Sequence, residues 1–185
     1  MKVILSLLLF LCTITPHQII AQKIYSNDHV DVIRLDEHTF LLQENYDFSA
    51  NCVVIEGDKG LMLLDTGFGE MGEYLIDAIQ SFDKEVMVIV NSHGHHDHMG
   101  GNRLFSKDVL IIGHDNCQDI YGQYGHKVQT IEKNPTFDFE GTLVFFMPYT
   151  GGHSECDILT FIPSLNLAFL GDLFLSESFP LVLIE

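Results

Sequence analysis

Residues 85–102 read EVMVIVNSHGHHDHMGGN, and this stretch restricts the fold more than any other. After Glu85 the run is continuously apolar and of strand length. That pattern belongs to a strand covered on both faces, as in parallel sheets flanked by other layers. The run ends abruptly in His93, His95, His96, Asp97 and His98. A lone imidazole is ordinarily a surface group or a satisfied core group, which is the reading given to His29, His38 and His126. Imidazoles clustered at the end of a buried strand are different. They would bury unpaired nitrogens, or repel one another once protonated. Neutral imidazoles and a carboxylate are good ligands for zinc and similar divalent ions. Strand ends are rigid platforms for such a site. His93, His95, Asp97 and His98 are therefore the candidate ligands. His96 alternates with them and is expected to point elsewhere. Gly94, Gly100 and Gly101 let the backbone bend around the group.

The surrounding pattern is α/β. VDVIRLDEHTFLLQE reads as two strands around a polar turn at Asp36 to His38, and NCVVIEGDKGLMLLDTG as a hairpin. Met71, Tyr74, Leu75, Ala78, Ile79 and Phe82 recur at helical spacing. VLIIGH reads as a strand and DNCQDIYGQYG as a helix. TLVFFMPY, DILTFIP and LNLAFLGD read as strands. CVVIEGDKGLMLLDTG and DILTFIPSLNLAFLGD share a layout: apolar strand, turn, apolar strand, then Asp beside Gly. If that echo is structural, two similar half-domains face each other, and Asp65 and Asp172 lie near one edge.

The 185 residues suit one domain with a sizeable core. Asp and Glu number 26 against 9 Lys and Arg, a formal charge of -17. A surface so negative repels phosphate backbones, which argues against a nucleic-acid partner. Residues 1–21 have the layout of a secretory signal peptide: Lys2, an apolar stretch from Val3 to Ile14, then a polar region ending in Ala21. The apolar stretch is too short to span a bilayer comfortably. A secreted or periplasmic chain of residues 22–185 is expected, with no stable membrane insertion after cleavage. That chain keeps Cys52, Cys117 and Cys156. An odd number at wide spacing is a poor disulfide framework, so buried free thiols are expected.

HGHHDH resembles the His-x-His-x-Asp-His motif of the metallo-β-lactamase superfamily. LLDTG at Asp65, TGGHS at His153 and FLGD at Asp172 resemble further family elements in the right order, over roughly residues 28 to 180. The resemblance implies a four-layer αββα sandwich with its metal site at one edge of two facing sheets. It implies that His93, His95 and His153 hold a first zinc. Asp97, His98 and Asp172 serve a second, with Asp172 bridging the two. Asp65 supports the motif loop. Iron or manganese is a possible substitute for zinc. Asp97 is also the catalytic candidate, orienting the nucleophile. The implied activity is hydrolysis of an ester, thioester, lactone or amide-type bond in a small molecule.

Departures narrow the branch. Cys-ligand β-lactamases carry Cys where this chain has Asp172, and the three-histidine β-lactamases lack the bridging carboxylate. The flavodiiron branch carries Glu where this chain has His95. The chain therefore resembles the bridging-Asp hydrolases, such as glyoxalase II-type thioesterases and lactonases, more closely. The alternatives are a β-lactamase, a mononuclear iron dioxygenase on the same fold and a catalytically dead metal-binding module. In the family a further His after additional strand and helix completes the second site, whereas no His follows His153 here. A domain incomplete at its C-terminus is the expectation, binding one metal firmly and a second weakly. The oligomeric state is not legible.

Overall fold

A computed structural model of the chain describes residues 21–46 and 50–175. The signal-peptide reading, except for its last residue, and the reading of residues 176–185 fall outside those described.

The first strands follow the alternation of the sequence. Strands β1 (Gln22–Ser26), β2 (Val30–Arg34), β3 (Thr39–Glu44), β4 (Cys52–Glu56) and β5 (Gly60–Leu64) form an antiparallel meander. Helix α1 (Gly72–Gln80) then crosses over to β6 (Glu85–Val90), which pairs parallel with β5. Strands β7 (Leu110–His114) and β8 (Lys127–Ile131) extend the parallel half. The short helix α2 (His96–Met99) lies between β6 and β7, and α3 (Gln118–Gly122) between β7 and β8. The eight strands lie in sequence order. A second sheet of four antiparallel strands runs in the order β12-β11-β10-β9, with β9 Thr136–Phe139, β10 Thr142–Tyr149, β11 Asp157–Ile162 and β12 Leu167–Phe169.

Two apolar cores result. On one face of the large sheet Val32, Leu42, Val54, Leu63 and Ile89 pack with Leu75, Ala78 and Ile79 of α1 and Tyr121 of α3. On the other face Ile55, Met62, Leu64, Val88 and Val90 meet Phe139, Val144, Phe146, Ile158 and Ile162 of the small sheet. Burying a single such side chain contributes about 1.5–3 kcal/mol. The described residues thus build three of the four expected layers: helices, sheet, sheet. On the far side of the small sheet Leu143, Tyr149 and Phe161 are exposed. They share one face, because Phe145, of the same parity as Leu143 and Tyr149 on β10, pairs directly with Phe161 on β11.

Two expectations are corrected. Strand β6 is not covered along its whole length: Glu85 and Met87 are exposed and only Val88 to Val90 are buried in sequence. A register shift explains this, since Leu61 pairs with Val86 but Met62 pairs with Val88. Met87 is the extra residue of a bulge, so Val86 and Ile89 face the helices while Val88 and Val90 face the second sheet. The second correction concerns the thiols. Cys52 is free and buried, but Cys117 and Cys156 form a disulfide with Cα atoms 6.0 Å apart. Spacing could not reveal it, because the pair spans 39 positions and is closed by the meeting of two sheets.

Candidate metal centre

The site is assembled where β5 and β6 end, before β11 begins and after β12 ends. Three backbone contacts fix the parts. Asp65 N–H donates to Val90 O (2.9 Å), Thr66 N–H to His98 O (2.8 Å), and Ile158 N–H to Ser92 O (2.7 Å). The last bond joins the start of β11, just after the His153 loop, to the exit of β6.

Three imidazole nitrogens converge. His93 Nε2 lies 2.9 Å from His95 Nδ1, and His153 Nε2 lies 3.0 Å from the same atom. His93 and His153 are buried, and His95 is partly exposed. The tautomer of His93 follows from its surroundings. Ser92 Oγ has one proton, and its bond to Asp65 Oδ2 (2.6 Å) uses it. Its contact with His93 Nδ1 (3.0 Å) therefore has the imidazole donating, which leaves His93 Nε2 as a lone pair facing the cluster. Burial, reinforced by His98 and His95, pushes His93 down to about 2, so it stays neutral. Burial and His153 also lower His95. One Nδ1 cannot satisfy two neighbouring imidazoles as a hydrogen-bond partner, whereas a cation between the three nitrogens satisfies all of them.

The second grouping is His93, His98 and Asp172. His98 is held between two strand-end aspartates. Its Nδ1 is 2.7 Å from Asp65 Oδ2 and its Nε2 is 3.2 Å from Asp172 Oδ1. The other oxygen of Asp172 faces the first cluster, 3.5 Å from His153 Nε2. Burial would lower His98, but the Asp65 and Asp172 carboxylates outweigh it and raise it to about 10. Burial would likewise raise Asp172, but the hydrogen bond and charge of His98 hold it at about 2. A metal ion on His98 Nε2 would take the place of that proton. The donor set, three imidazoles beside an imidazole–carboxylate pair, fits one or two divalent ions.

The other sequence candidates fall as follows. Asp97 lies on α2 with its carboxylate 3.6 Å from His98 Nε2, a third exposed and outside both tight groupings. His96 turns away and contacts the Glu70 carboxylate at 3.0 Å. His114, a further imidazole at the end of β7, uses Nδ1 to accept the Asn116 N–H and belongs to neither grouping, though it was not among the candidates. Asp65 sits behind the ligands at φ 61, a left-handed conformation unusual for a residue with a side chain. Sequence reasoning missed Ser92, which accepts from His93 and donates to Asp65. It also missed Asp157, whose oxygens accept from Ser154 N–H (2.9 Å) and Oγ (2.6 Å) and brace the His153 loop. The Ser-x-x-Asp spacing was a usable signal for Asp157. Glu44 was missed too. It is buried behind Gly67 and raised to about 7 by that burial, with Tyr46 Oη donating to it at 2.6 Å.

Close approach explains Gly171. A Cβ there would lie 2.5 Å from Ser92 Oγ, and its φ is 51. Glycine thus lets the Asp172 turn settle on the Ser92–Asp65 pair.

No described helix is long and apolar enough to cross a membrane. The family model of the metallo-beta-lactamase superfamily matches residues 45–184. Metallo-beta-lactamase domain-containing protein 1 of Rattus norvegicus is 28% identical over 139 residues, which cover 72% of this chain and 54% of that protein. Hydroxyacylglutathione hydrolase of Crocosphaera subtropica is 26% identical over 113 residues, 58% of this chain and 42% of that one. A flavo di-iron protein mutant from Thermotoga maritima superimposes with a TM-score of 0.64 at 18% identity, over 72% of this chain and 40% of that one. The chain spans about half the length of the curated relatives it matches. With the family model covering most of its length and the fold shared, the chain belongs to the metallo-β-lactamase superfamily.

Proposed function

We propose that the protein is a metal-dependent hydrolase of a small ester, thioester, lactone or amide-type substrate, with zinc as the metal. The observation that carries this reading is the approach of His93 Nε2 and His153 Nε2 to His95 Nδ1, at 2.9 and 3.0 Å, with Asp172 reaching from that group to His98. His93, His95 and His153 hold the first ion. His98 and Asp172, with Asp97 beside them, would hold a second, Asp172 having one oxygen toward each group. A divalent ion there supplies Lewis-acid polarisation of the substrate oxygen and activation of water near neutral pH. The chain's own part is to present the lone pairs, through Ser92 and Asp65, and to keep Asp172 ionised. Asp97, a third exposed beside the group, would orient the attacking water. No protein nucleophile is required.

The hydroxyacylglutathione hydrolases among the relatives favour a thioester over the other bonds. The test is a hydrolysis screen of thioesters, lactones, β-lactams and phosphodiesters on zinc-loaded protein. Turnover of a carbonyl substrate that disappears on chelation supports the reading, and turnover of none of the four classes refutes it. We further propose export to a periplasm or beyond, on the leader-like residues 1–21 and the Cys117–Cys156 bond, which persists in oxidising compartments. Mass spectrometry of protein from its native source should find a chain starting at Gln22, and an intact Met1 in the cytosol would refute this.

A further inference from the structure

The disulfide has a place in the site that its sequence spacing conceals. Cys156 lies three residues after His153. Cys117 lies three residues after the end of β7. Their two sulphurs meet beneath Gly94, the residue between His93 and His95. A Cβ on Gly94 would lie 2.9 Å from Cys117 Sγ and 3.3 Å from Cys156 Sγ. One covalent bridge thus touches both loops that carry the three converging imidazoles. The neighbouring link is weaker: Asn116 Nδ2 donates to Glu155 O at 2.8 Å. Within its own loop His153 is braced by Ser154 and Asp157, but those bonds shape the loop without docking it on the motif.

We infer that the Cys117–Cys156 bridge is a positioning element of the first metal site, locking the His153 loop against Gly94 so that the three imidazoles converge. This rests on the reading of His93, His95 and His153 as metal ligands. Without the bridge, the His153 loop separates from the 93–95 loop part of the time, and only the fraction with all three nitrogens in place binds tightly. Loss of such outer supports lowers metal affinity by roughly 10–100-fold in metal sites generally.

The experiment titrates the full chain with cobalt against a chelator of known affinity, reading the absorption of tetrahedral cobalt. The oxidised protein is compared with the Cys117→Ala/Cys156→Ala double variant. A tenfold or greater loss of cobalt affinity, with the absorption band altered, is the expected result. Hydrogen exchange on the metal-free proteins should show residues 151–156 becoming locally open in the variant, exchanging well ahead of β4 and β5, whose protection falls only with global stability. A second measurement needs no variant. Opening the bridge with a trialkylphosphine turns the disulfide into two thiols, water giving its oxygen to the phosphine. Bound cobalt should slow that opening at least tenfold. Affinity and reduction rate both unchanged would overturn the inference while leaving the metal reading intact. Oxidised protein that binds no cobalt would refute the metal reading itself, and the inference with it.

Discussion

The two ligand groups share His93 and little else. The first consists of three imidazoles whose ring nitrogens converge, with burial lowering His93 and His95. The second is a charged pair, with His98 protonated between Asp65 and Asp172 while the metal is absent. An ion entering the first group meets His93 neutral with its Nε2 lone pair already facing it. An ion entering the second must first displace a proton held by two carboxylates. It must also do without His93, whose Nδ1 is engaged by Ser92 and whose Nε2 faces the first group. Metal binding should therefore be firm at the first group and weaker at the second, and the difference should narrow as pH rises.

The most damaging way to break this contrast is His153→Ala. It should lower affinity at the first group by more than the roughly 100-fold expected of supporting residues and abolish nearly all hydrolysis. Full zinc content with full rate would show the ligand assignment to be wrong. Asp172→Asn should be selective instead. The first equivalent of zinc stays tight, the second is lost and turnover falls, all visible in one chelator titration. Equal weakening of both equivalents would dissolve the distinction between the groups.

Acid and base should also act on the groups in opposite directions in the metal-free protein. His93 is held below its unfolded value near 6.5, so the unfolded chain binds the extra proton and stability falls as pH drops from about 6.5 towards 2. His98 is raised to about 10, so its contribution is whole below about 6.5 and is lost as pH climbs through 10. Thermal unfolding across pH should peak between these limbs. His98→Gln should flatten the alkaline limb and, because His98 helps to depress His93, soften the acid limb as well. An alkaline limb identical to the parent's would mean that the two aspartates do not hold that proton.

Removing the disulfide by Cys117→Ala/Cys156→Ala should cost about 4 kcal/mol of global stability, by the loop-entropy relation for a closure of this span. Chemical denaturation measures it, and a loss under about 1 kcal/mol would mean the unfolded chain is already constrained. The smallest effect is expected of His96→Ala. It removes an exposed contact with Glu70, worth at most about 1 kcal/mol, and should leave both zinc equivalents untouched.

Much of this could be read from residue order because local pattern and tertiary role agree along most of the chain. The hairpin of β4 and β5 and the hairpin of β11 and β12 were both visible as apolar runs around turns. The echo between them placed Asp65 and Asp172 at one edge, and the structure puts one on each side of the His98 ring. His96 stood out as the odd member of its cluster by alternation alone. What could not be read depends on the meeting of distant segments. Cys117 and Cys156 pair only because β11 starts beside the exit of β6. Ser92 gains its role only because Asp65, from another strand, accepts its proton. The site's supports are therefore less legible than its ligands, which announce themselves by residue type.

The bulge at Met87 has a consequence for how this scaffold tolerates change. Along β6 a shift by one residue would normally exchange the two faces of everything downstream. That would turn Ile89 away from the helices and send His93 out of the cluster. Here the frame of residues 88–93 is reset after Met87, independently of Glu85 and Val86. Insertions or deletions before the bulge, at the turn after α1, can therefore be absorbed there. The same changes after it would misdirect the metal ligands. A scan of single-residue deletions from Phe82 to Val90 should show activity surviving up to Met87 and vanishing beyond it.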